Sequence, residues 1–100
     1  MKTFPAETTA EFFDPYVGQA FVVRVGELAV TLKLVKVTAA PGSDPAQGPA
    51  PLALVFEGPL QPLLPQDTYE LEHAQLGGNA VLIVPVGQGH SGTRYEAVLG

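Results

Sequence analysis

The stretch YELEHAQLG (69–77) puts a histidine beside two glutamates and a tyrosine. Imidazole next to carboxylates is the raw material of a metal site or of acid–base catalysis. The spacing argues against both. In an extended strand successive side chains point to opposite faces. Tyr69, Leu71 and His73 therefore share one face, and Glu70 and Glu72 take the other. His73 is expected to be a buried or half-buried imidazole whose ring donates to a backbone carbonyl and closes the next turn, because buried polar groups need partners. Tyr69 and Tyr95 are expected at the rim of the core, each hydroxyl finding a partner. The alternative is a small-molecule site or active site, with Tyr69, His73 and Tyr95 lining one end of a barrel.

Other chemistries lack parts. GQGHSG (87–92) fits G-x-G-x-x-G, but a dinucleotide fingerprint needs a helix opening at the glycines inside a βαβ unit. Here strand-like sequence follows. A serine triad needs a nucleophile on a strand–turn–helix elbow. The serines are Ser43, in a Pro/Gly-rich stretch, and Ser91, beside His90 in a glycine loop. Without cysteine there is no thiolate nucleophile, thiolate metal site or disulfide. His73 and His90, the two histidines, have no metal-ligand spacing. No catalytic residue, metal or cofactor is expected.

Ten acidic residues against five basic give a formal charge of −5. Lys2, Arg24, Lys33, Lys36 and Arg94 are scattered, whereas nucleic-acid binding needs clustered cations. No apolar run approaches the ~18 residues of a membrane span. The N-terminus lacks the basic start and apolar run of a signal peptide, so synthesis in the cytoplasm is expected.

The elements that must position these residues are mostly strands. Thr8-Thr9-Ala10-Glu11 has capping-box spacing, and Pro15 and Gly18 supply stop signals. A short helix is expected over 8–17. The rest, 20–99, reads as antiparallel β in a single domain of one hundred residues. Its strands are expected at 20–25, 28–37, 52–58, 68–74, 80–86 and 93–99. The alternation in 28–37 slips phase near Leu34-Val35, which predicts a bulge. AVLIVPV (80–86) is apolar on both parities, as in a strand covered on both sides. TAAPGSDPAQGPAP (38–51) reads as a mobile loop. The proline-rich 59–67 connection carries Leu60, Leu63 and Leu64, which must cap the core or form an exposed patch. Six short strands at regular spacing predict a small antiparallel barrel or sandwich.

FDPYVGQAF, LALVFEGP, LPQDTYELEHAQLG, LIVPVG and RYEAVL together resemble a family of small bacterial domains of unknown function. Members are often encoded beside phage tail-collar-type (microcystin-dependent-like) proteins. The resemblance covers nearly the whole chain apart from 38–51. Its pattern falls on Gly18, Phe21, His73, Gly77, Pro85, Tyr95 and Glu96. Asp67 stands where similar sequences often carry glycine, and Asp tolerates the left-handed conformation such a turn can need. The resemblance transfers no activity; it implies an accessory to a tail-like or surface assembly. The expected role is a non-catalytic structural or interaction module. It would bind a protein partner or itself through Leu60, Leu63, Leu64, Val35 and Val37.

Overall fold

A computed structural model describes residues 2–5, 8–39 and 52–99. A short helix, α1 (Ala10–Phe13), runs into a 3-10 turn at Asp14–Tyr16. Six strands come after it: β1 (Ala20–Val25), β2 (Leu28–Ala39), β3 (Leu52–Gly58), β4 (Asp67–His73), β5 (Gly77–Gln88) and β6 (Thr93–Leu99). Each neighbouring pair is antiparallel, and the order β1-β2-β3-β6-β5-β4 closes on itself. The fold is thus a closed barrel rather than a sandwich, and closure abolishes the open edges of a flat sheet.

The walls obey the two-residue period of a strand. In β6, Thr93, Tyr95, Ala97 and Leu99 are buried, while Arg94 and Val98 face solvent. The core holds Phe21, Leu32, Leu34, Leu54, Phe56, Leu71, Ile83 and Tyr95, all sealed from solvent. Phe21 and Phe56 meet edge to face, with ring centroids 5.4 Å apart. Each such side chain contributes about 1.5–3 kcal/mol by leaving water. Phe13 from α1 and Leu64 from the 59–66 connection join the same cluster. The helix precedes β1 and the connection comes after β3, so the two plug opposite ends of the barrel.

The turns obey local chemistry. Gly26 has φ +60°, and among the described residues no non-glycine residue has positive φ. With Gly26-Glu27 between the paired Val25 and Leu28, this is the type II′ pattern that suits strand twist. The expected bulge is present: the β2–β3 register shifts between Leu34 and Lys36.

Several expectations change. Thr8 and Glu11 do not form a capping box. Thr9 is the N-cap without a side-chain bond, and Thr8 Oγ1 donates to the Pro5 carbonyl at 2.6 Å. The helix proper is one turn because Pro15 gives the next turn 3-10 geometry. Thr38 and Ala39 belong to β2, and residues 40–51 of the expected mobile loop lie outside the described residues. β5 is not covered on both faces: Val81 and Ile83 point inward, but Leu82 and Val86 are exposed. Among the described residues no helix is long and apolar enough to cross a membrane.

Gly92 tests the packing between turns. A Cβ there would lie 2.2 Å from the Gly58 backbone oxygen, whereas one at Gly89 meets open space. Gly92→Ala should lower unfolding free energy by about 1–3 kcal/mol, as overpacking does. Gly89→Ala should change it by less than about 1 kcal/mol. Chemical denaturation of both variants checks the contrast.

Candidate functional site

The residues with chemical potential sit where the barrel is closed. β1 and β2 pair over six positions, but β1 and β4 pair only at Val22↔Glu72 and Val23↔Leu71. The ladder that shuts the barrel is therefore its shortest, and side chains supplement it. On the outer face Arg24 Nε donates to Glu72 Oε2 across the seam. Arg24 is mostly exposed, so the pair is worth under about 1 kcal/mol and chiefly sets register.

His73 occupies the end of the same seam. Gln75 N donates to Nδ1 at 3.0 Å, so Nδ1 carries a lone pair and the proton resides on Nε2. Nε2–H then donates to Gln19 Oε1 at 2.7 Å. The Gln19 amide is oriented by its own Nε2, which donates to the Pro15 carbonyl at 3.1 Å. The backbone of Gln19 is fixed as well, donating to Tyr16 O and accepting from Leu34 N. Tyr16 stands edge-on to the imidazole at 5.0 Å, and Phe21 lies against it at 4.7 Å. His73 is thus half-buried, with both nitrogens engaged. The ring accepts from a backbone N–H, where donation to a carbonyl is the expectation from sequence. Its second partner, Gln19, lies 54 residues away and has no local signature in sequence.

The two tyrosines serve the other end. Tyr95 is wholly buried, and its hydroxyl accepts from Leu64 N at 3.0 Å. Tyr69 Oη donates to the Pro65 carbonyl at 2.6 Å. Two adjacent loop residues are thereby tied to two strands, which holds Leu64 in the core. Burial pushes the Tyr69 hydroxyl above its ordinary value near 10, and the charge of Asp67 and the presence of Tyr95 push it the same way. It remains a donor at neutral pH.

Tyr69, His73 and Tyr95 do not form one site. Tyr69 and His73 are separated by about 13 Å of extended strand, and each is committed to a different loop. The space between is filled by Leu71, Phe21 and Phe56. The groove beside His73, about 340 Å³, is lined by Ala20, Val22, Arg24, Glu72 and Ala74. Its two charges neutralise each other. No group of three or more potential metal ligands occurs among the described residues. Every buried side-chain nitrogen and oxygen described has a partner.

The apolar candidates divide. Leu64 is 2 % exposed, so it caps the core and cannot be a contact surface. Val37 packs against the core, and Val35 is half-buried at the bulge, on the barrel wall. Leu60 and Leu63 are exposed, and Val25 and Leu28 are exposed at the β1–β2 turn of the same barrel end. Sequence reading missed the last two because each alternates correctly within its strand.

The tyrosine roles make a prediction. Tyr95→Phe leaves the buried Leu64 N–H without an acceptor and should cost about 1–3 kcal/mol. Tyr69→Phe frees a carbonyl that water can reach and should cost less than about 1 kcal/mol. Equal losses in urea denaturation would contradict this assignment.

No curated protein and no solved structure matches the chain. Residues 8–99, α1 through β6, match the model of the Domain of unknown function (DUF6916), and the chain belongs to that family.

Proposed function

We propose that this domain is a non-catalytic structural or protein-interaction module, docking through the barrel end formed by the β1–β2 turn and the 59–66 connection. One observation carries the reading. Val25, Leu28, Leu60 and Leu63 are exposed at that end, the first two flanking the β1–β2 turn and the last two on the connection that Tyr95 and Tyr69 tie at Leu64 and Pro65. A pinned apolar surface loses little conformational entropy on binding, which favours association. The barrel interior, by contrast, is packed with side chains and its polar groups are engaged in structure.

The occupant of this end is a protein, either a partner or a second copy. Nucleic acid is disfavoured by the net charge of −5. The setting proposed on the family resemblance is a phage-tail-like or surface-displayed assembly, entered after synthesis in the cytoplasm.

Leu28→Asp and Leu63→Asp change exposed positions, so the fold should survive. Each should weaken self-association, or retention of a specific partner, by at least about tenfold, as the loss of an interface anchor does. Leu64→Asp should instead unfold the barrel. Solution mass and partner pull-down across the three variants check this. A monomeric wild type whose partners are retained equally by Leu28→Asp and Leu63→Asp would remove the proposal.

A further inference from the structure

We propose that His73 is a proton-operated latch on the β4–β5 turn, and through that turn on the N-terminal segment. As a neutral ring it holds the turn; protonated, it releases it.

The geometry requires one tautomer. Nδ1 must keep its lone pair to accept from Gln75 N, and Nε2 must carry the proton given to Gln19. A protonated imidazole carries hydrogen on both nitrogens. The contact with Gln19 survives that change, whereas Nδ1–H then faces the Gln75 N–H, donor against donor. The hydrogen bond to Gln19 and the packing against Tyr16 and Phe21 hold the ring in either form. The ring therefore stays, and the turn yields.

That turn holds other groups. The Leu76 carbonyl accepts from Lys2 Nζ at 3.2 Å and from Asn79 Nδ2 at 3.3 Å. The Lys2 carbonyl in turn accepts from Ala80 N at 2.7 Å, on β5 where its ladder to β6 has ended. Phe4 comes next, edge-on to Phe13. Thr3, Phe4 and Pro5 form one side of a groove of about 400 Å³, whose other side is Ala80, Leu82 and Val98. Loosening Leu76 loosens Lys2 and with it this wall of the groove. The charged and titratable groups around the latch are Glu72 of β4 and Arg24 of β1, paired with each other, Asp14 and Tyr16 of the 3-10 turn, and Lys2. A positive ring adds repulsion toward Lys2, in the same direction as the lost hydrogen bond.

The test is an NMR pH titration of the full chain, following the ring nitrogens of both histidines and the amides of Gln75 and Ala80. Protection of both amides, corrected for intrinsic exchange, should fall about tenfold with the midpoint of His73 protonation, the weight of roughly one hydrogen bond. The titration of His90, exposed in the β5–β6 turn, serves as the internal reference. His73→Asn, whose carbonyl can accept from Gln75 N and does not titrate, should make both amides insensitive over that range. Glu72→Gln should leave the response in place. Unchanged protection of Gln75 while the His73 ring protonates overturns the proposal, and so does the same response in His73→Asn. If that variant fails to fold, the wild-type midpoints alone decide.

Discussion

The constraint on which this structure depends is the closure of a six-stranded sheet at a seam only two residue pairs long. A closed barrel must satisfy pairing all the way round, and its last joint inherits whatever stagger the other five have accumulated. Here the joint is β1–β4. The backbone supplies little there, so the sequence places side chains on both sides of it: Arg24 with Glu72 outside, and His73 with Gln19 at the end. These contacts are individually small. Two hydrogen bonds of about 0.5–1.5 kcal/mol each do not rival the burial of Phe21, Phe56 and Leu71. What they supply is direction. Apolar packing tolerates slippage, and a hydrogen bond with a defined donor and acceptor does not.

The same logic accounts for where the polar residues sit. His73, Tyr69 and Tyr95 are each spent on a loop. The barrel ends need these ties because Phe13 and Leu64, the apolar plugs, arrive on short or proline-rich segments with little regular structure. Tyr95 reaches from the core to the backbone of Leu64, and His73 reaches from a strand end to the segment after the helix. Among the described residues every buried side-chain nitrogen and oxygen has a partner.

Much of this was legible in sequence, and the failures have physical causes. β1, β3 and β6 occupy the residues expected of them, because branched and aromatic runs there are bounded by glycine, proline or turn residues. The bulge at Val35 was visible as a slip in parity, since one extra residue inverts every later side chain. The separation of His73 from Glu70 and Glu72 was visible for the same reason. The outer face of β5 was misread because apolar composition does not imply cover; Leu82 and Val86 are simply exposed. The leucine loop lacks periodicity, so nothing distinguished Leu64 from Leu60 and Leu63. Gln19 was invisible as a partner for His73 because closure of the sheet, a non-local event, brings the two together. The capping box failed because the helix starts one residue later, with Thr9 at its N-cap.

The central claim is that the His73–Gln19 contact is a structural clasp on the closing seam. A double-mutant cycle of Gln19→Ala and His73→Ala, read by chemical denaturation, tests it most directly. The account predicts a coupling of about 0.5–1.5 kcal/mol, with loss of amide protection at Val23 and Leu71 in each single variant. Additive effects, with Val23 and Leu71 as protected as in the wild type, would contradict it.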